Sequence, residues 1–111
     1  LTKLDTLYLD HNQLSELPDS FAQMQSLTHV SLAINKFTKF PMEITQLKRL
    51  VYLDLSGNPI EEIPADLANL TSLTELRLLD TKVTSKQVDQ LKALLPDIVI
   101  YFSSPTSETT K

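Results

Sequence analysis

The chain has no cysteine and no tryptophan. The first absence excludes a disulfide framework, a thiol nucleophile and any cysteine-ligated metal. Gly57 is the single glycine in 111 residues, so no glycine-rich loop can cradle a phosphate. Basic residues are outnumbered, with Lys+Arg 10 against Asp+Glu 14, giving a net charge of −4. That balance lacks the dense basic surface that nucleic-acid phosphates need. It also gives no attraction to an anionic membrane. The longest late apolar run, "IVIYF" at 98–102, is far below the ~20 residues of a membrane span. The chain opens on Leu1 without a signal-peptide pattern, which suggests a processed or trimmed chain. There is no H-E-x-x-H, and no serine, histidine and acid that a repeat geometry would bring together. An enzyme is therefore not expected, and no catalytic residue, cofactor or metal ligand is assigned.

What is present is a period. Leucines at 4, 27, 50 and 73, asparagines at 12, 35 and 58, and prolines at 18, 41 and 64 all step by 23. Three residue types sharing one period in fixed phase mark an internal repeat. The units read "LDTLYLDHNQLSELPDSFAQMQS" (4–26), "LTHVSLAINKFTKFPMEITQLKR" (27–49) and "LVYLDLSGNPIEEIPADLANLTS" (50–72), and a fourth begins "LTELRLLDTKV" at Leu73. Within L-x-L, side chains alternate, so Leu7 and Leu9 point one way and Tyr8 the other. One such strand cannot bury its apolar face alone, whereas stacked copies share a continuous core. Apolar residues of each second half, such as Leu14, Leu17, Phe21 and Met24, have the spacing of short helical turns. The prolines stand where such a turn starts and needs no backbone N–H.

The pattern L-x-x-L-x-L-x-x-N-x-L, complete in units one to three with Val30, Phe37 and Ile60 as apolar equivalents of leucine, resembles the leucine-rich repeat family in its 23-residue form. It is similar to the repeats of spirochaete-type bacterial and Ras-group members. The resemblance implies an α/β fold: a right-handed solenoid with a parallel concave sheet of about five strands, short helical turns on the convex side and one C-terminal α-helix. The repeat domain is expected to cover 1–102, with units 4–26, 27–49, 50–72, 73–94 and a truncated 95–102. A polar tail at 103–111 is expected to be disordered. Asn12, Asn35 and Asn58 fall at sharp bends, where backbone groups lose ladder partners. An amide both donates and accepts, so stacked asparagines can bridge successive turns, and Thr81 in unit four should do so less well.

Unit four replaces the proline with "TSKQVDQLKALL", 84–95. Thr84 followed by Gln87 is a capping-box pattern. Val88, Leu91, Leu94 and Leu95 are expected to form one apolar face of an α-helix of about three turns, stopped by Pro96. Shortening unit four to 22 residues makes "LPDIVI" fit L-x-x-L-x-L, with Leu95, Ile98 and Ile100 in the core.

Residues flanking the strand leucines face outward and form columns across the units. The first is Thr6, His29, Tyr52, Glu75 and Asp97; the second Tyr8, Ser31, Asp54, Arg77 and Val99. The third is Asp10, Ala33, Ser56, Leu79 and Tyr101; the fourth His11, Ile34, Gly57, Asp80 and Phe102. In the family that the chain resembles, such positions bind partners. The expected contact set is Tyr8, Asp10, His29, Tyr52, Asp54, Glu75, Arg77, Leu79, Val99 and Tyr101. Aromatic residues concentrate at interfaces, and acids outnumber Arg77 here. Arg77 and Asp54 are expected to form a cross-strand ion pair. His11 and His29 lie too far apart along the strand direction for one metal ion. Asn69-Leu70-Thr71 fits a glycosylation sequon, but Leu70 should be buried.

These features point to a protein-interaction module whose concave face binds a protein with a basic patch. The alternatives are a homodimer through the uncapped N-terminal end or the C-terminal edge strand, and a recognition segment of a larger protein. A bacterial exported or surface protein directed at host proteins is favoured over a cytoplasmic one.

Overall fold

In a computed structural model, residues 4–103 are described. Five strands follow the five L-x-L segments: β1 (Thr6–Tyr8), β2 (His29–Ser31), β3 (Tyr52–Asp54), β4 (Glu75–Leu78) and β5 (Val99–Phe102). They make one parallel sheet in chain order. Consecutive strands are adjacent because each connection is one repeat long and brings the chain back one strand spacing further along.

The returns are short. 3-10 turns at Asp19–Gln23, Met42–Gln46 and Ala65–Asn69 each begin after a proline. Pro18, Pro41 and Pro64 sit at the capping position in extended backbone. Their carbonyls accept from the N–H groups of Phe21, Ile44 and Leu67 at 2.9, 3.0 and 3.1 Å. The prolines thus set the extended approach and lose no donor that the turn would use.

Between sheet and returns lies one apolar core. Leu27, Val30, Leu32, Phe37, Ile44, Leu47, Leu50, Leu53, Leu55, Ile60, Leu67, Leu70, Leu76, Leu78 and Val83 are fully buried. Each aliphatic side chain taken out of water contributes about 1.5–3 kcal/mol before ordering costs. The repeat supplies one such set per unit, so the core is continuous although each strand is only a few residues long. Unit one is less covered: Leu4, Leu7, Leu9 and Leu14 are partly buried against the core.

α1 spans Ser85–Leu94, and the Thr84 side chain accepts from the Gln87 N–H. Val88 and Leu91 are buried, and Leu95 packs on the core, but Leu94 is 55% exposed. At about 100° per residue, Leu94 turns well away from the Val88–Leu91–Leu95 stripe, so the expected four-residue face contains three.

The register of β5 also differs from expectation. Val99 pairs with Glu75, Ile100 with Leu76, Tyr101 with Arg77 and Phe102 with Leu78. Between β3 and β4 the pairing offset is 23, since Tyr52 opposes Glu75; between β4 and β5 it is 24, since Glu75 opposes Val99. The fourth repeat is thus lengthened, not shortened to 73–94. The ten-residue helix takes more chain to cross the core than the five-residue turns do. Ile98 is buried, and its N–H bonds to the Leu95 carbonyl as that of Leu73 bonds to Leu70. Relative to the expected columns, β5 moves by two residues. A shift of two preserves the faces: Val99 and Tyr101 still point outward and Ile100 inward. Asp97 leaves the first column, and Phe102 faces the core instead of flanking the sheet.

After β1 to β4 the chain turns through the left-handed region at the same point of each unit. His11, Ile34, Gly57 and Asp80 have φ of 61, 57, 77 and 56°. These turns are stacked by backbone bonds from His11 N–H to Ala33 O, Ile34 N–H to Ser56 O and Gly57 N–H to Leu79 O. Just beyond, Asn35 donates to the carbonyls of Leu9, Leu32 and Ala33 and accepts from the Leu14 N–H. Asn58 repeats this with Leu32, Leu55, Ser56 and the Phe37 N–H. Asn12 bonds within its own unit, to Leu9 O and Asp10 O. These bonds satisfy backbone groups that the sheet ladder has released, and they hold the concave rim in place.

Candidate functional site

The outward residues of the sheet form three well-ordered columns. The first is Thr6, His29, Tyr52, Glu75 and Val99, and the second is Tyr8, Ser31, Asp54, Arg77 and Tyr101. Beyond the strands, Asp10, Ala33, Ser56 and Leu79 continue as the third. Parallel pairing puts neighbours within a column about 4.8 Å apart, close enough for direct side-chain contact.

The columns are knitted together at their centre. The His29 and Tyr52 rings stack at 5.8 Å with 21° between planes. Arg77 donates from Nη1 to Glu75 Oε2 at 3.0 Å, and its Nε lies 3.9 Å from Asp54 Oδ2. The expected Arg77–Asp54 pair is thus the longer of two contacts, and Glu75 on the same strand is the closer partner. The guanidinium also lies over the Tyr101 ring, 4.3 Å from its centroid. The two-residue shift of β5 makes that contact, because it sets Tyr101 directly opposite Arg77. Asp54 accepts from the Ser56 N–H at 2.9 Å, and the Tyr52 hydroxyl lies 3.5 Å from its carboxylate. Burial, reinforced by Asp54, holds the Tyr52 hydroxyl pKa above its ordinary value. The bond that Arg77 donates to Glu75 raises the guanidinium pKa above its ordinary value. Ser31 donates to Asp10, and Leu79 N–H bonds to Ser56 Oγ at 3.0 Å.

The result is a face whose central side chains are held by contacts with one another. Tyr8, Val99 and Tyr101 remain exposed, at 63%, 51% and 42%. His29, Tyr52, Asp54, Glu75, Arg77 and Leu79 are half-buried and Asp10 is exposed. All ten residues named from the sequence lie on this face. Its central group joins His29, Tyr52, Asp54, Glu75, Arg77 and Tyr101, while Tyr8 and Asp10 lie at the β1 end and Val99 on the edge strand. Sequence reasoning did not single out Ile34, an exposed β-branched residue in a left-handed turn. Its signal was present in the fourth column, where His11, Gly57 and Asp80 are residues that tolerate that backbone. Elsewhere, Met42 and Leu94 are exposed apolar residues away from the sheet. Among the described residues, no helix is long and apolar enough to cross a membrane.

The likeness to known proteins agrees with this architecture. No curated protein sequence matches the chain. Among solved structures it is similar to a leucine-rich repeat protein of Leptospira interrogans, 33% identical with a TM-score of 0.83, over 89% of this chain and 25% of that one. It is similar to TLR13 in its complex with ssRNA13, at 36% identity and a TM-score of 0.62, over 71% of this chain and 12% of that one. It is also similar to the plant peptide hormone receptor RGFR1 in complex with RGF2, at 28% identity and a TM-score of 0.70, over 92% of this chain and 17% of that one. The chain therefore spans a quarter or less of each of these proteins. A family model described as leucine rich repeat matches residues 25–83, more than half the chain, and a second of the same description matches residues 3–24. With the stacked parallel sheet and the asparagine-bridged turns, these matches establish that the chain belongs to the leucine-rich repeat family.

Proposed function

We propose that the chain is a protein-recognition module that binds a protein ligand on its concave face. Leucine-rich repeat domains generally mediate protein–protein interaction, and the family is typically non-enzymatic. The observation that carries the reading is the prearranged centre of the face. His29 on Tyr52 and Arg77 on Tyr101, with Asp54 and Glu75 holding Arg77, present aromatic and charged surface already in place. Side chains ordered in advance lose little entropy on binding, and aromatic residues and arginine are the usual anchors of interfaces. Asp10, Asp54, Glu75 and Asp80 outnumber Arg77, so the ligand surface is basic and its association is steered by charge. A complex with RNA, as for TLR13, suits this face poorly, because phosphates would meet that acidic excess.

The test is selection of ligands from a displayed library of protein domains, followed by titration against variants. Tyr101→Ala weakens the complex more than Asp10→Ala does, and raising salt to about 0.5 M weakens it further by screening. Binding that ignores both Tyr101→Ala and salt would refute the reading. The likeness to the Leptospira protein is in keeping with a bacterial origin, and export toward host proteins is proposed beside it. The gene region upstream tests this: a signal peptide encoded there supports export, and a start codon directly before Leu1, with no leader between, opposes it.

A further inference from the structure

The fourth column contains a residue that does not suit its place. Four equivalent turns run through the left-handed region, at His11, Ile34, Gly57 and Asp80. Glycine adopts that backbone freely, and aspartate and histidine are enriched there. Isoleucine is branched at Cβ and is an outlier in it. Nothing in the core requires an isoleucine at this point, because the side chain is 48% exposed. Its covered flank rests on Gly57: a Cβ on Gly57 would lie 3.0 Å from Ile34 Cγ1. The bare glycine backbone is the room that lets the isoleucine lie on the rim. An exposed apolar side chain in a strained backbone, held by a neighbour that makes space for it, is a feature the fold does not explain. Such outliers gather at functional sites.

The surroundings say what would cover it. The half-buried Gly57 and Leu79 continue an apolar strip across the repeats after Ile34, with Asp10 one repeat before it and the exposed Asp80 two repeats after. We propose that Ile34 is the anchor of the concave-face interface, and that it receives an extended basic–apolar segment of the protein ligand. The segment crosses the strands. Three strand spacings of about 4.8 Å separate the units of Asp10 and Asp80, about 14 Å in all. An extended chain covers that distance in about four residues. The recognised segment therefore carries a lysine or arginine at each end of a five-residue stretch, with a large apolar residue between them. The apolar residue lies on Ile34 and reaches toward Leu79, and the cations meet Asp10 and Asp80. This assignment rests on the concave-face reading and adds to it the position of the anchor and the chemistry of the ligand.

The experiment is panning of displayed short random peptides on the full chain, followed by titration of the enriched peptides against four variants. Enriched sequences with the basic–apolar–basic spacing are expected. Ile34→Asn relieves the backbone, so its Tm rises, by about 4 °C or more, while its affinity falls by about tenfold or more. Ile34→Val keeps the branched apolar group and retains most of the affinity. Opposite movements of stability and affinity in Ile34→Asn are what a purely structural role would not produce. Unchanged affinity in Ile34→Asn, or enrichment of acidic or unpatterned peptides, overturns the proposal. If Tyr52→Ala and Tyr101→Ala abolish binding while Ile34→Asn does not, the anchor is refuted and the concave face stands. If none of these changes affects binding, both are refuted. Failure to enrich any peptide also counts against the anchor, because the segment is short enough to be represented.

Discussion

Thr81→Asn should stabilise the protein. In units two and three the turn asparagine bonds across the boundary between units. Asn35 donates to Leu9 O and accepts from the Leu14 N–H, and Asn58 does the same with Leu32 O and the Phe37 N–H. Thr81 has only a hydroxyl. It donates to Leu78 O at 3.0 Å and accepts from the Val83 N–H at 3.4 Å, both within its own unit. The equivalent cross-unit partners, one period on from Leu32 and Phe37, are Leu55 O and Ile60 N–H. Among the described residues, no hydrogen bond reaches the Ile60 N–H, although Ile60 is fully buried. An asparagine at 81 would supply both missing bonds. At about 0.5–1.5 kcal/mol net for each, less the weak bond to Val83, the gain is about 1–2 kcal/mol. The two other turns show that an amide fits this geometry. In urea the midpoint should rise at constant m, and in calorimetry Tm should rise by about 4 °C or more. An equal or lower midpoint with unchanged m would refute the idea that the stack is under-bonded at its fourth turn.

The same ladder predicts the cost of removing a rung. Asn58→Ala leaves Leu55 O and the Phe37 N–H without their side-chain partner in a buried site and takes one of two amide donors from Leu32 O, a loss of about 2–4 kcal/mol measured by urea unfolding. Gly57→Ala sets a Cβ 3.0 Å from Ile34 Cγ1 at φ 77°; the left-handed backbone alone costs about 1–2 kcal/mol, so Tm falls. Tyr52 contributes to the pH dependence of stability at high pH. Its folded pKa is raised above 10.0, so the folded state keeps a proton that the unfolded chain has released. That contribution is complete below pH 10 and is lost as pH rises through the raised value. Tyr52→Phe should flatten the alkaline decline in urea midpoint, and an unchanged decline would reject the assignment.

Much of the architecture is readable from spacing because each unit repeats the same physical problem. Leu27, Leu50 and Leu73 are buried for one reason stated three times, and the prolines mark the same turn entry three times. The pattern becomes uninformative where the repeat is used once. Unit four crosses the core with an α-helix, and the length of chain a helix consumes is not encoded in the leucine phase. The sequence "LPDIVI" fits the strand motif equally well two residues earlier, because strand faces recur every second residue. The ladder with β4 decides between them, and it moves Tyr101 opposite Arg77. On the concave face, column membership in units one to four was legible from the period, but contacts between columns were not. The choice of Glu75 over Asp54 as the closer partner of Arg77 depends on rotamers, as does the stacking of His29 on Tyr52. Ile34 shows a third kind of limit: its identity is plain in the sequence, while the strain it bears appears only once the backbone of the turn is known.

The claim that the sheet face is the working surface is tested most directly by comparing two double variants in titrations with a selected protein ligand. Tyr52→Ala with Tyr101→Ala removes aromatic surface from the concave face. Met42→Ala with Leu94→Ala removes comparable exposed apolar surface elsewhere on the molecule. Both pairs are exposed or half-buried, so circular dichroism and Tm can confirm that each variant is folded before titration. The concave pair should lower affinity by about a hundredfold, in line with loss of two anchor residues, and the other pair should leave it unchanged. Full affinity in the concave variant, or loss confined to Met42→Ala with Leu94→Ala, would contradict the account.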